Sequence, residues 1–190
     1  LKLEGIIMKM NTKKLVLNSV LLGIGLVLHQ IEPAIFGVKP DMTLIMLFTV
    51  MILNKDSYKT CLACGIVVGI FSAITTSFPG GQVPNVIDKF ITTNLIFVMM
   101  MFMYKLPFMK KLSQKNQDLV VSNILMIIGT AISGFVFLTS AQILVGLPGN
   151  MNLTILYASV VLPAIVINLI VGIVVFKIIH VTMKRVSFQN

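Results

Sequence analysis

The chain has 190 residues, of which 57% are apolar and only 11% are charged, and its net charge is +9. Soluble domains carry about 25% charged residues, so a water-soluble fold of this composition would leave far too much apolar surface uncovered. The composition therefore predicts an integral membrane protein. In such a protein a positive net charge is typical of loops sorted across the bilayer, which argues against a nucleic-acid partner.

Six apolar segments follow one another along the chain. They lie at approximately 15–31, 42–53, 60–78, 90–104, 119–147 and 153–176. A helix needs about 20 residues to cross a hydrocarbon core about 30 Å thick, so the pattern predicts an all-α protein with six transmembrane helices. We expect one domain, made of a basic amino terminus at 1–14, a helical bundle at 15–180 and a tail at 181–190.

The basic residues are distributed unequally between the two sides of the predicted bundle. Thirteen of the fifteen lie in the amino terminus, the second and fourth connections and the tail, whereas Lys39 and Lys89 lie on the opposite side. Because cytoplasmic connections of membrane proteins carry the excess of lysine and arginine, both termini are predicted to be cytoplasmic.

The first, second and fourth segments are short between their flanking polar residues. They contain fourteen, twelve and fifteen residues, or about 21, 18 and 22 Å of helix. Because lysines fix the cytoplasmic ends, polar residues of the outer ends are expected to lie below the outer surface. Ionisable groups at that depth line a wet cavity or pair with one another. Three short spans predict a shared outward cavity; bilayer thinning and tilt are the alternative.

Polar residues of the outer connections are the candidate ligand-binding residues. The stretch TTSFPGGQVPNVIDKF at 75–90 combines prolines, which stiffen the backbone, with glycines, which permit close approach. A turn leading into the fourth helix is an equally open interpretation. In HQIEPAIFGVKPD at 29–41, Asp41 is explained by a helix start. The remaining candidates are His29, Gln30, Glu32, Gly80, Gly81, Gln82, Asn85, Asp88, Lys89 and Gln142.

Several features of catalytic and metal sites are missing from the sequence. It contains no Walker motif, no HExxH and no GxSxG, so neither an enzyme nor a bound metal or cofactor is expected. Cys61 and Cys64 have metal-like spacing but no second cysteine pair, and we interpret them as packing residues. Asn94 and Asn168 are interpreted as interhelical hydrogen-bonding residues.

Small residues recur at four-residue spacing in three of the predicted spans. They are Ser19 and Gly23 in the first, Cys61, Gly65, Gly69 and Ala73 in the third, and Thr130 and Gly134 in the fifth. Such spacing lets helices approach closely, either inside the bundle or against a partner membrane subunit.

The blocks LHQIEPAIFGVKPDMTLIMLF, LNKD and TTSFPGGQVPNVIDK, in this order and spacing, resemble the bacterial tryptophan transporter TrpP family. The resemblance runs from about Lys13 to Lys177. That family in turn resembles the substrate-binding S components of energy-coupling factor transporters, which are six-helix membrane proteins without an ATPase motif. The resemblance implies uptake of L-tryptophan from outside, with a coupling transmembrane subunit and two cytoplasmic ATPases as partners. Ser19 and Gly23 match the small-residue motif that contacts the coupling subunit in S components.

A tryptophan ligand implies two kinds of subsite. Its charged groups require donors beside a carboxylate, which His29, Glu32, Asp88 and Lys89 offer. Its indole requires an apolar slot, for which Phe36, Phe78 and Tyr157 are the candidates. Two alternatives stay open: a stand-alone ion-coupled transporter of tryptophan or another aromatic amino acid, and a membrane scaffold without a ligand. The chain's lack of tryptophan suits a scavenger of that amino acid.

Overall fold

A computed structural model describes residues 12–35 and 37–187. Within these ranges the chain is a bundle of six helices, as predicted. They are α1 (Thr12–Ile31), α2 (Met42–Leu53), α3 (Tyr58–Thr75), α4 (Gln82–Lys105), α5 (Gln114–Leu144, with a π-helical turn at Leu125–Gly129) and α6 (Leu153–Leu156, a π-helical turn at Tyr157–Val161, and Leu162–Ser187). Five of these helices are long and apolar enough to cross a membrane, and α2 is the shorter one.

Helix α4 begins well before its predicted start. The apolar run predicted a start near residue 90, but α4 begins at Gln82 and contains 24 residues. The stretch 75–90 is therefore mainly a helix start, in agreement with the second of its two interpretations. Pro84 fits there because a first-turn N–H has no acceptor within the helix. Asp88 and Lys89 lie inside the helix, where each binds the other.

The expectation of three short spans is correct only for α2. Helix α1 contains 20 residues and includes His29 and Gln30, so polar residues extend it beyond the apolar run. Helix α2 has 12 residues, all buried except its last. A helix that is apolar on all sides belongs in the middle of a bundle. At about 18 Å, α2 is shorter than a hydrocarbon core of about 30 Å, so with its inner end at the predicted cytoplasmic surface its amino end at Asp41 would be recessed from the outer one.

Small residues allow α3 and α4 to pack closely. A Cβ added at Gly65 would collide with the side chain of Thr93, and one added at Gly69 would come within 3.4 Å of Val86 and Lys89 on α4. The small residues of α3 thus serve packing inside the bundle. The two in α1 differ, because Ser19 is exposed and a Cβ at Gly23 would meet no described atom within 4 Å.

The two cysteines of α3 contribute to the same packing. Cys61 and Cys64 are buried and remain free thiols. The thiol of Cys61 donates to the backbone carbonyl of Asn54, at the end of α2. Among residues 12–35 and 37–187, no group of histidine, cysteine or acidic side chains is arranged to hold a metal ion.

Candidate functional site

Lys89 is the centre of a buried charged cluster on the outer part of α4. The residue is 2% exposed. Its Nζ lies 3.0 Å from Oδ2 of Asp41, 2.7 Å from Oδ2 of Asp88 and 3.1 Å from Oγ of Ser133. An ammonium group has three donors, so all of them are engaged. These four residues, called the Lys89 cluster, connect α4 with α5 and with the start of α2.

Both carboxylates of the Lys89 cluster receive further hydrogen bonds. Oδ1 of Asp41 accepts from the Thr43 hydroxyl at 2.6 Å and from the Leu44 backbone N–H at 2.9 Å, which caps α2. Asp88 accepts from the hydroxyls of Thr92 and of the cluster's serine, each at 2.8 Å. Dense hydrogen bonding of this kind offsets the free energy of burying the ions.

Uncharged residues extend the Lys89 cluster to α3 and α6. Oδ1 of Asn168 accepts from the Asp41 backbone N–H at 2.8 Å, and its amide donates to Thr130 at 3.1 Å. The hydroxyls of Thr43 and Ser72 lie 3.1 Å apart. The interhelical role predicted for Asn168 is confirmed. Thr43, Ser72, Thr130 and Ser133 were not predicted as site residues, because single serines and threonines are common in apolar spans. The signal that could have found them is that they lie at about the same level of the bundle as Lys89.

His29 and Glu32 form a second charged pair at the outer end of α1. Nδ1 of His29 lies 2.8 Å from Oε1 of Glu32. The contact is an ion pair when the imidazole is protonated. Glu32 is only 9% exposed, and neither of its carboxylate oxygens accepts a hydrogen bond from the described residues. This carboxylate is buried without the donors that the Lys89 cluster has.

The two carboxylates of the connection from α1 to α2 have opposite pKa shifts. Burial opposes ionisation of Asp41, but the charges of Lys89 and His29 and its hydrogen bonds outweigh burial, so its pKa lies below the ordinary value. For Glu32 burial dominates, and its pKa is raised despite the neighbouring His29. The influence of His29 on Asp41 indicates that the second pair is electrostatically linked to the Lys89 cluster.

An aromatic pair lies near the Lys89 cluster. The ring of Phe78 meets that of Phe137 edge to face, with centroids 5.2 Å apart. Phe137 follows Ser133 by four residues on α5, so the pair is about one helical turn, or about 6 Å, farther out. Tyr157 is half-buried and its hydroxyl donates to the Ala131 carbonyl at 3.1 Å.

The other predicted site residues are not gathered at the Lys89 cluster by any described contact. Gln30, Gln82 and Gln142 are exposed, whereas Asn85 is buried and its amide donates to the Gly81 carbonyl at 2.8 Å. Gly80 has a positive φ of 71°, which a residue with a side chain rarely adopts. Phe36 lies outside the described residues.

The inner end of α2 is held by a separate polar group. The amide of Asn54 donates to Asn18 at 2.9 Å. Lys55 lies 3.0 Å from Asp118 and 4.3 Å from the centre of the Tyr104 ring. These contacts fix α2 to three neighbouring helices, so its length determines how deep its amino end lies.

Comparisons with known proteins give one consistent result. The family model described as "Tryptophan transporter TrpP" matches residues 11–184. A "Probable tryptophan transport protein" of Clostridium acetobutylicum is 47% identical over 183 residues, covering 96% of this chain and 100% of the relative. Proteins with the same description from Bacillus subtilis (42% identical, covering 95% of this chain and 98% of the relative) and Clostridium perfringens (39%, covering 93% and 96%) also match. No solved structure matches the chain.

Proposed function

The chain belongs to the TrpP tryptophan transporter family, and on this basis we infer that it mediates uptake of L-tryptophan. The members of this family are multi-pass bacterial membrane proteins that are transporters and not enzymes. Within that role, it acts as the substrate-binding S component of an energy-coupling factor transporter. It takes tryptophan from outside and works with a coupling membrane subunit and two cytoplasmic ATPases.

The observation that carries the proposal is the convergence of charge on the recessed end of α2. Membrane-embedded ionisable residues mark substrate sites, because their burial is too unfavourable to persist without a function. Here Asp41, Asp88 and Lys89 meet where the central helix begins. His29 and Glu32 stand beside them. Together these residues form a polar end of the proposed site, which suits the charged end of a zwitterionic amino acid.

The aromatic pair supplies the second part of the proposed site. Tryptophan has a large apolar ring system, and aromatic rings favour edge-to-face and offset-stacked contacts. The Phe78 and Phe137 pair lies one turn outward of Ser133, so the amino-acid head group points inward and the indole points outward. Phe36 and Tyr157 stay candidates for the same slot, and Gln82, Asn85 and Gln142 for the indole N–H.

Two further observations support the S-component role over a stand-alone ion-coupled transporter. Among the described residues, acidic side chains lie near the outer end of α2 or near its inner end. No chain of acids connects the two groups, as a proton relay would require. In addition, Ser19 is exposed on α1, and a Cβ added at Gly23 would meet no described atom within 4 Å. That surface suits close contact with another membrane subunit.

Uptake of radiolabelled L-tryptophan distinguishes the two mechanisms. Bacteria lacking their own tryptophan transporters would express the chain with the coupling subunit and ATPases, either intact or with an inactive Walker lysine. We expect uptake with the intact ATPases, none with the inactive ones, and persistence when an ionophore collapses the ion gradients. Uptake that is equal with intact and inactive ATPases, and that is abolished by the ionophore, would establish the ion-coupled alternative.

Binding by the isolated chain is the direct test of the capture step. Because the chain contains no tryptophan, emission excited beyond tyrosine absorption comes from the ligand. A saturable spectral shift in detergent supports capture by the lone chain, and Asp88→Ala should weaken it because the Lys89 cluster loses one of its two carboxylates. A free-ligand spectrum at all protein concentrations would remove L-tryptophan as the substrate of the lone chain.

A further inference from the structure

The outer site has more negative charge than its own cations neutralise. Glu32, Asp41 and Asp88 are carboxylates, and Lys89 is the buried lysine that faces two of them. His29 contacts Glu32, the third carboxylate, and carries a positive charge only when it is protonated. Lys39, the other basic residue of the outer side, is exposed. The deficit is one positive charge when the histidine carries a proton, and two when it is neutral.

The deficit is located at Glu32. Asp41 and Asp88 each hold a contact with the Lys89 ammonium and accept two further hydrogen bonds. Glu32 is 9% exposed and accepts none from the described residues. Buried polar atoms are nearly always hydrogen-bonded, and one that is not requires an explanation such as a ligand that is absent.

Lys89 is not available to the ligand. Its three donors are directed at Asp41, Asp88 and Ser133 at 2.7–3.1 Å. A substrate carboxylate that approached it would have to displace one of these acceptors. The Lys89 cluster is therefore a neutralised framework, and the unsatisfied group of the site is an anion that requires a donor with positive charge.

We propose that the carboxylate of Glu32 binds the ammonium group of the substrate, so that the site selects indoles by their amine rather than by their acid group. That the ligand is an indole rests on the proposed function. The new element is that the protein recognises the ligand through its ammonium group. An ammonium offers three donors, and Oε2 of Glu32 has no partner among the described residues, whereas Oε1 faces His29 at 2.8 Å. The predicted ligand class is the cationic or zwitterionic indole amine.

Two fragments of tryptophan separate recognition of the amine from recognition of the acid. Tryptamine keeps the ammonium and lacks the carboxylate, and indole-3-propionate has the reverse. Both fluoresce, so their binding to the purified full chain is measured directly and by competition with radiolabelled L-tryptophan. We expect tryptamine to bind within about 10-fold of tryptophan. Indole-3-propionate should bind about 10- to 100-fold more weakly, the factor for a lost hydrogen bond to a charged group.

Glu32→Gln identifies the residue responsible. The affinity of the variant for L-tryptophan and for tryptamine should be about 10- to 100-fold lower than that of the wild type. Its affinity for indole-3-propionate should be unchanged or higher. Without ligand it should unfold at the same or a higher temperature than the wild type, because an unsatisfied buried charge is removed. Lys110→Gln, an exposed change at the opposite end of the bundle, is the control and should leave all three affinities unchanged.

Each outcome decides between the two proposals. If wild-type protein binds tryptophan but Glu32→Gln binds it equally well, or indole-3-propionate competes as strongly as tryptamine, amine recognition by Glu32 is wrong and tryptophan capture stands. If tryptamine binds through Glu32 and tryptophan does not bind, the amine site stands and tryptophan capture is wrong. If none of the three binds, both are wrong.

Discussion

Replacing Lys89 by methionine tests whether the Lys89 cluster is a structural framework. Methionine keeps the length of the side chain and removes the charge. It leaves Asp41 and Asp88 without the ammonium at 3.0 and 2.7 Å. Removal of one partner from a buried ion pair destabilises a protein by about 3–5 kcal/mol. Each carboxylate retains two hydrogen bonds from other donors, so we expect the lower part of this range, about 3 kcal/mol.

The expected change in melting temperature follows from this free energy. A protein of this size loses about 2–4 °C per kcal/mol, which gives a decrease of about 6–12 °C for Lys89→Met. Cys61 and Cys64 provide the readout because both are buried free thiols. A maleimide dye that fluoresces on reaction with a thiol reports their exposure as the protein unfolds in detergent.

A double variant and a surface control make the interpretation specific. Lys89→Met combined with Asp88→Asn removes one charge of each sign, so the net charge of the cluster is the same as in the wild type. We expect it to recover at least half of the lost stability. Lys39→Met removes an exposed charge and should change the unfolding free energy by less than about 0.5 kcal/mol. A Lys89→Met protein that melts within about 1 °C of wild type would mean that the carboxylates are hydrated and the lysine is free for a ligand.

Three further substitutions test the packing, the partner surface and the aromatic slot. Gly65→Leu should destabilise the protein by about 1–3 kcal/mol in the thiol assay, because its side chain would overlap α4. Gly23→Leu should leave stability and tryptophan binding unchanged but abolish ATPase-dependent uptake. Normal uptake by this variant would show that the surface at Ser19 and Gly23 does not bind the coupling subunit. Phe78→Ala should weaken tryptophan binding about 10-fold through loss of an aromatic contact, whereas Phe102→Ala, 65% exposed near the inner end of α4, should not. Equal effects of the two phenylalanine changes would place the indole elsewhere.

The number of helices was predictable because hydrocarbon sets a minimum length of apolar sequence. The bounds of α2 agree with the prediction at both ends, since Asp41 and Asn54 interrupt the apolar run and also cap the helix. The start of α4 was not predictable in this way. Asp88 and Lys89 ended the apolar run, but neutralisation by partners on other helices allows both to continue inside α4.

The candidate site was predictable only in its charged members. Depth and charge identified Asp88 and Lys89, and they also identified His29 and Glu32. Asp41 was left out because the helix start explained it, yet its two carboxylate oxygens serve two roles. One caps α2 through the Leu44 N–H and the other meets the ammonium of Lys89. Ser133 carried no signal of its own, because a hydroxyl gains significance only from the side chain that it faces.

The short central helix is the feature that unites the fold with the proposed site. Contacts at Asn54 and Lys55 hold its inner end, so its 12 residues place the outer end about 12 Å short of the far side of a hydrocarbon core about 30 Å thick. An α-helix has a partial positive charge at its amino end, which favours the carboxylate of Asp41 at that depth. Asp41 in turn holds Lys89, and Lys89 holds Asp88, so each charge is supported by the one before it. Glu32 stands outside this sequence of contacts, and that is why it is the carboxylate we assign to the ligand.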